Sequence, residues 1–243
     1  MGGHTFIVER LARAASQGGV LQGPFSGMRY VSGSVGSVLP PKLLGTYERE
    51  LHPAIQQILQ ERPARVIDVG AAEGYYAVGL ARALPEARVV AFESEERGRD
   101  LLRAMAQLNG VDQRIAIEGH CTVESLSHAL QPGPRTAVIV DVEGAERDLL
   151  AGPVVSLLSG CLILVELHDW VVPGIAALLH ERFAATHDVD RIGQATRSDA
   201  DWPTERIAWG SLVPTGLRRR CLDEKRAHQM EWLFLKPRGF RPS

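Results

Sequence analysis

The 243-residue chain is poor in the features that mark several specialised classes of protein. It has three cysteines, Cys121, Cys161 and Cys221, and their odd number and wide spacing give neither a disulfide framework nor a CxxC metal pair. This cysteine usage favours a reducing compartment, and we expect a cytoplasmic protein. The formal net charge is only −2, which argues against a general nucleic-acid binder because such proteins carry a basic excess.

Long apolar runs are also absent. The most apolar stretch, residues 153–165, is interrupted by Ser156, Ser159 and Gly160 and falls short of the roughly 20 residues that a membrane span needs. The N-terminus shows no apolar signal-peptide core, so neither a transmembrane segment nor a secretory signal is expected. Hydrophobic residues nevertheless make up 45% of the chain, which excludes a disordered protein.

The small net charge hides an uneven distribution. Residues 214–243 carry a net charge of +5, and residues 1–213 therefore carry −7. The densest basic cluster is Arg218, Arg219 and Arg220. It is interpreted as a solvated helix face, with a site for an acidic substrate or a lipid surface as the alternative.

Five short runs rich in Val, Ile and Leu each end in an acidic residue, and these acids recur at intervals of 23 to 25 residues. This interval is typical of β-α units, in which a helix returns the chain to the next parallel strand. Near-continuous apolar runs indicate strands that are covered on both faces. The runs are 65–68, 89–93, 115–118, 137–141 and 162–166, and their terminal acids are Asp68, Glu93, Glu118, Asp141 and Glu166.

The segments between these runs have the apolar periodicity and the Gly or Pro stops of helices. With two further strands, the pattern predicts an α/β Rossmann-like fold whose seven-stranded, mostly parallel sheet has helices on both faces. The predicted helices are 76–84, 97–108, 122–130, 145–150 and 175–183, and the two further strands are 188–192 and 231–236.

The remaining segments flank this sheet. Residues 1–62 are predicted to form an N-terminal helical cap, with helices at 5–15 and 47–60 and a possible hairpin at 23–36. Residues 63–243 are predicted to form the Rossmann-like domain, with an insertion at about 193–229 that contains a polar helix at 217–228.

The first strand runs into a glycine-containing loop, Asp68-Val69-Gly70-Ala71-Ala72-Glu73-Gly74. Ligands of such sheets bind beyond the carboxyl ends of the strands, where the terminal acids gather. A dinucleotide would need G-x-G-x-x-G, but Ala72 replaces the middle glycine and Glu73 would repel the pyrophosphate. S-adenosylmethionine has no phosphate and carries a sulfonium and an ammonium, so its positive charges are suited to an edge lined by acidic residues. We therefore favour this cofactor, with an NAD-type oxidoreductase as the alternative.

Four segments together resemble the FkbM-type class I S-adenosylmethionine-dependent methyltransferases: 66–81 (VIDVGAAEGYYAVGLA), 89–111, 138–150 (VIVDVEGAERDLL) and 162–169 (LILVELHD). The resemblance implies the class I methyltransferase fold and methylation of a hydroxyl group on a sugar, a glycan or a natural-product small molecule. It also implies that Asp68, Gly70, Ala71 and Gly74 surround the methionine part of the cofactor, that Glu93 and Ser94 hold the ribose, and that His120 and Cys121 lie near the adenine. Glu73, Tyr75 and Asp141 complete the predicted cofactor set.

Methyl transfer to a hydroxyl requires the oxygen to lie about 3 Å from the methyl group and to lose its proton. The candidates at the ends of the fourth and fifth strands are Asp141, Glu143, Glu146, Glu166, His168 and Asp169. His168 is the predicted base, since an imidazole titrates near neutral pH, and Glu166 or Asp169 could orient it. Asp141 is the alternative base, so the predicted catalytic set is His168, Asp141 and Glu166.

No metal is required by this interpretation. As an alternative, Asp141, Glu166, His168 and Asp169 form a possible divalent-metal set that could acidify a substrate hydroxyl. A third functional class, a non-catalytic protein that binds the cofactor or a partner, also stays open. The expected partner is a small-molecule or glycan substrate, and a homodimer is possible.

Overall fold

The computed structural model describes residues 2–239, with side chains from residue 6 onward. Its centre is a seven-stranded sheet of order β3-β2-β1-β4-β5-β7-β6. Strands β1 to β5 pair in parallel, and β7 runs antiparallel to both of its neighbours. The predicted Rossmann-like sheet is thereby confirmed. The strands are β1 (Arg65–Val69), β2 (Arg88–Phe92), β3 (Ile115–Glu118), β4 (Thr136–Val140), β5 (Leu162–Leu167), β6 (His187–Gly193) and β7 (Glu231–Pro237).

Helices cover both faces of this sheet. Successive strand residues point to opposite faces, so Val66 joins one hydrophobic core and Ile67 joins the other. Every residue of β4 and β5 is buried, as the uninterrupted apolar runs predicted. The helices are α1 (Gly2–Ser16), α2 (Leu39–Leu44), α3 (His52–Glu61), α4 (Tyr75–Ala83), α5 (Glu96–Leu108), α6 (Val123–Ala129), α7 (Glu146–Leu149), α8 (Pro153–Leu157), α9 (Ile175–Phe183) and α10 (Thr215–Leu222).

The N-terminal segment shares a hydrophobic core with the sheet. Phe25, Met28 and Tyr30 belong to the same buried cluster as Val66, and the Phe25 ring packs edge-on against Tyr75 of α4 at 5.2 Å. The predicted hairpin at 23–36 is wrong, because the described residues of this region form turns and no paired strands. The one isolated bridge in the described residues joins Arg29 to Gly19, and Gly19 lies before the predicted hairpin begins. Backbone hydrogen bonds between residues 18–20 and 27–30, together with side-chain hydrogen bonds described below, fix this segment.

Two predicted helices have different bounds, and in both cases the backbone gives the reason. The helix predicted at 47–60 begins only at His52, because Glu48 has a left-handed φ of 45° and Pro53 occupies the first turn of α3. The helix predicted at 217–228 is α10, which ends at Leu222, and Lys225 beyond it has a φ of 52°. That turn carries the following residue, Arg226, back to the sheet.

The basic C-terminal segment is divided between α10 and β7. On α10, Arg218 donates to the backbone oxygens of Val213 and Ser211, and the exposed Arg219 pairs with Asp199. Residues 240–243, the end of this basic segment, lie outside the described residues. In the described part of the chain, no helix has the length and apolar character that crossing a bilayer requires.

Candidate active site

A cavity of about 710 Å³ opens at the carboxyl ends of β1, β2 and β4. Strand order reverses between β1 and β4, which is where open α/β sheets bind their ligands. The volume lies in the range of small-molecule sites. Most of the predicted cofactor residues line this cavity, namely Asp68, Gly70, Ala71, Tyr75, Glu93, Ser94, His120, Cys121 and Asp141.

The loop after β1 approaches the neighbouring strands closely. Gly70 has a φ of 88°, and a Cβ atom there would collide with the backbone oxygen of Asp141. Only glycine satisfies both conditions at this position. The backbone nitrogens of Gly70 and Ala71 both donate to the Phe92 oxygen, at 2.9 and 3.0 Å. The loop is therefore tied to the ends of both β2 and β4, and its backbone forms the floor of the cavity.

The carboxylate of Glu93 is held at the end of β2 by two backbone donors. Its Oε2 accepts from the nitrogen of Ala72 and its Oε1 from that of Glu95, both at 2.7 Å. Gly98 in α5 makes room for this side chain, because a Cβ there would lie 2.7 Å from the Cγ of Glu93. Each carboxylate oxygen can accept a second hydrogen bond, so Glu93 stays able to hold a pair of hydroxyl groups.

Asp68 lines the cavity with a carboxylate oxygen that has no hydrogen-bond partner in the described structure. Its side chain is 2% exposed, and the oxygen without a partner is Oδ2. Burial, together with the charges of Asp141 and Glu93, raises the pKa of Asp68 to about 7, although a backbone hydrogen bond from Ala77 opposes this rise. A buried carboxylate oxygen without a partner is costly, so Oδ2 is suited to a cationic group of a ligand.

Glu73 does not face the cavity, and its prediction as a cofactor residue is wrong. Its fully buried carboxylate pairs with the Nζ of Lys42 at 2.5 Å. The hydroxyls of Tyr30 and Ser34 donate to it at 2.7 Å, and the Val35 nitrogen donates at 3.0 Å. Although burial opposes its charge, Lys42 lowers the pKa of Glu73 below its usual value. Glu73 therefore anchors the N-terminal segment, and it cannot repel a pyrophosphate as the sequence argument assumed.

Gly74 likewise stays off the cavity wall. It begins the turn into α4 with a φ of 95°, and a Cβ there would collide with Leu102 of α5. Its role is to let the two helices approach each other. The prediction that Gly74 touches the cofactor is therefore not supported by its position.

His168 sits directly behind the cavity wall and is 1% exposed. Its Nδ1 lies 2.5 Å from Oε1 of the fully buried Glu146, and its Nε2 lies 3.6 Å from Asp141 and 3.3 Å from Glu143. Burial opposes a charged imidazole, but the bond with Glu146 and the other two carboxylates raise the pKa of His168. The prediction that Glu166 or Asp169 orients His168 is wrong, because the carboxylate that orients the imidazole is that of Glu146.

Glu166 and Asp169 are engaged elsewhere, which removes Glu166 from the predicted catalytic set and both residues from the predicted metal set. Glu166 pairs with Arg226 at 3.0 Å and accepts from the Trp232 indole at 3.3 Å. Asp169 accepts from the backbone nitrogen of Gly174 at 3.0 Å, at the start of α9. Side-chain direction at the end of β5 decides this outcome, and the sequence spacing alone does not reveal it.

Arg226, which was not among the predicted site residues, lines the cavity from the late insertion. Its guanidinium pairs with Glu48 and Glu166 and donates to the Tyr47 hydroxyl at 3.2 Å. The N-terminal segment, the insertion and β5 therefore meet at one side chain. A lone arginine in an irregular segment gives no signal in the sequence that could have indicated this contact.

Aromatic rings and Lys42 complete the wall. The rings of Tyr47 and Tyr75 pack edge-on at 5.2 Å, and the Lys42 Nζ lies 4.9 Å from the centre of the Tyr47 ring. Burial raises the pKa of both tyrosines far above 10, so their hydroxyls stay protonated. The wall therefore combines carboxylates with electron-rich ring faces, and both attract cations.

Comparisons with known proteins agree with this architecture. The chain is 26% identical over 196 residues to the release factor glutamine methyltransferase of Deinococcus radiodurans, covering 71% of this chain and 69% of that protein. A solved O-methyltransferase from Bacillus cereus in complex with S-adenosylhomocysteine superimposes with a TM-score of 0.51 at 12% identity, covering 97% and 91% of the two chains. An rRNA methylase from Streptococcus thermophilus gives a TM-score of 0.53 at 11% identity, covering 78% and 97%.

The chain has the class I methyltransferase fold. No family model matches it, so the resemblance to FkbM-type enzymes stays a prediction. The similar proteins bear names that point to different acceptors, and the acceptor of this chain has to be argued from its own site.

Proposed function

We propose that the protein is an S-adenosylmethionine-dependent methyltransferase that methylates a hydroxyl group on a sugar, a glycan or a natural-product small molecule. The observation that carries the proposal is the pair of acids Asp68 and Glu93 on one cavity wall, with Oδ2 of Asp68 buried and without a partner. This wall matches a ligand that has an ammonium at one end and a ribose diol further along.

The residues present fit this cofactor group by group. Asp68 would receive the ammonium, and Glu93, with Ser94 beside it, would receive the two ribose hydroxyls. Tyr47 and Tyr75 line the same cavity. His120 and Cys121 lie on the same wall and would border the adenine. The NAD-type alternative is not favoured, because the Asp68 carboxylate disfavours a pyrophosphate and β7 departs from the 3-2-1-4-5-6 strand order of dinucleotide folds.

The acceptor end of the cavity is assigned to Asp141. The cofactor would supply an activated methyl group, and Asp141 would accept the proton that the acceptor hydroxyl loses. Asp141 lines the cavity and its side chain is 40% exposed, whereas His168 lies buried behind it. Burial and the charge of Glu48 raise the pKa of Asp141 to about 7. Asp141 is therefore the residue that meets the acceptor.

Calorimetry with S-adenosylhomocysteine tests the cofactor assignment. The intact protein should bind it, and Asp68→Asn and Glu93→Gln should each weaken binding roughly 10- to 100-fold, since hydrogen bonds to charged groups contribute about 1.5–3 kcal/mol. Asp148→Asn is the matched control, because Asp148 is an exposed acid on the same wall. Absence of binding to the intact protein, or binding of NADH instead, would overturn the proposal.

The acceptor class needs a separate experiment. A panel of hydroxylated sugars, glycans and natural products is incubated with S-adenosylmethionine, and methylated products are located by mass spectrometry and NMR. We expect a new methyl ether. A product methylated on nitrogen would contradict the hydroxyl assignment while leaving the cofactor assignment intact.

A further inference from the structure

The two ring nitrogens of His168 have opposite surroundings. Nδ1 lies 2.5 Å from Oε1 of Glu146, a fully buried carboxylate that also accepts from the Gly144 nitrogen at 3.1 Å. A carboxylate at this distance keeps the proton on Nδ1, so Nε2 is the nitrogen that can offer a lone pair. Nε2 is buried and has no hydrogen-bond partner in the described structure.

That free nitrogen points between two carboxylates on the cavity side. Oδ1 of Asp141 lies 3.6 Å from it and Oε2 of Glu143 lies 3.3 Å from it, and the three atoms lie within 4.8 Å of one another. Ligand atoms bound at about 2.0–2.2 Å to one ion are roughly 3.0–3.5 Å apart when they are adjacent. Oδ1 of Asp141 also has no hydrogen-bond partner. One cation at the centre would satisfy both unpartnered atoms.

The local backbone supports this arrangement. Glu143 has a left-handed φ of 51°, which is uncommon for a residue other than glycine, and Gly144 follows with a φ of 107°. This turn brings the Glu143 carboxylate back over the end of β4, beside Asp141. Strained backbone of this kind persists where the surrounding structure holds it, often at functional sites.

We infer that Asp141, Glu143 and His168 bind a divalent transition-metal ion and that Glu146 positions His168 for this purpose. A mixed set of two carboxylates and one imidazole suits Mn²⁺, Fe²⁺ or Zn²⁺, whereas Ca²⁺ takes oxygen ligands. Asp141 and Glu143 both line the cavity, so the remaining coordination positions face it. Their use by an oxygen of the methyl acceptor rests on the proposed function; the binding of the ion does not.

The test is titration of the chelator-treated, cofactor-free protein with Mn²⁺, followed by the loss of the free-ion EPR signal. The intact protein should bind about one equivalent. Glu143→Gln should weaken binding at least tenfold, and because the Glu143 side chain is 79% exposed this variant should fold. Glu146→Gln should weaken binding by roughly 10- to 100-fold through loss of the orienting carboxylate. The control, Asp148→Asn, should bind as the intact protein does.

Two results would overturn the inference. One is no binding up to about 1 mM Mn²⁺, and the other is equal binding by Glu143→Gln and Asp148→Asn, which would place the ion elsewhere. Calorimetry with S-adenosylhomocysteine in the presence of chelator separates this outcome from the proposed function. Binding of the nucleoside without Mn²⁺ binding rejects only the metal site, and Mn²⁺ binding without nucleoside binding rejects the proposed function.

Discussion

Replacing Lys42 by methionine would leave the carboxylate of Glu73 buried without its counter-charge. The two side chains are 3% and 0% exposed and lie 2.5 Å apart, so water cannot replace the lost ammonium. Removal of one partner of a buried ion pair costs about 3–5 kcal/mol. The donors Tyr30, Ser34 and Val35 remain and offset part of this loss. We therefore expect Lys42→Met to lower the free energy of unfolding by about 3 kcal/mol at pH 7.

The pH dependence gives this prediction a sign. Lys42 lowers the pKa of Glu73 in the folded protein, so the stability that Glu73 contributes is present above its unfolded pKa of about 4.3 and is lost as pH falls through the lower folded value. In the variant, burial without Lys42 raises that pKa, and protonation relieves the destabilisation. The gap in stability between the two proteins should therefore narrow below about pH 5.

Urea unfolding followed by circular dichroism measures both effects. Arg103→Met is the matched control, because its pair with Asp100 is exposed and should contribute less than about 1 kcal/mol. The double variant Lys42→Met/Glu73→Gln, which removes both charges, should regain a large part of the lost stability. A loss no larger than that of the control, or a gap that widens at low pH, would refute the assignment of Glu73 as an internal anchor.

Three further predictions concern the cavity. As the pH is raised toward about 7, the affinity for S-adenosylhomocysteine, measured by calorimetry, should increase by up to tenfold per pH unit, because Asp68 must ionise to pair with the ammonium. Above about pH 7 the affinity should level off, and an affinity that does not change with pH would contradict this. Gly70→Ala should abolish cofactor binding or folding, since its Cβ collides with the Asp141 backbone; wild-type affinity would contradict the close approach. Arg226→Met should cost about 3 kcal/mol in urea unfolding by leaving Glu48 buried and unpaired, and a loss below about 1 kcal/mol would contradict that role.

The sheet could be predicted from the sequence because its signals are local. Apolar runs ending in acids mark the strands, and the crossover helices set the interval between them. Asp68 and Glu93 reach one edge because parallel strands share a direction. Knowing which segments are strands is enough to place the backbones of both acids at this edge, and both acids line the cavity.

The predictions that were wrong depend on contacts between distant parts of the chain. Lys42 and Tyr30 lie 31 and 43 residues before Glu73, and no periodicity links them to the β1–α4 loop. At the ends of β4 and β5, the sequence leaves five carboxylates available to His168, and only side-chain direction selects Glu146. Arg226 enters from the irregular segment that follows α10. Local pattern specifies the scaffold here, whereas tertiary packing specifies which acids are free.

The most direct test of the account is a crystal structure of the protein with S-adenosylhomocysteine. We predict that the amino group of the ligand lies within hydrogen-bonding distance of Oδ2 of Asp68 and that both ribose hydroxyls lie against Glu93. The ligand sulfur should then face the end of the cavity formed by Asp141. A ligand bound outside this cavity, or an empty cavity at saturating S-adenosylhomocysteine, would contradict the proposed function.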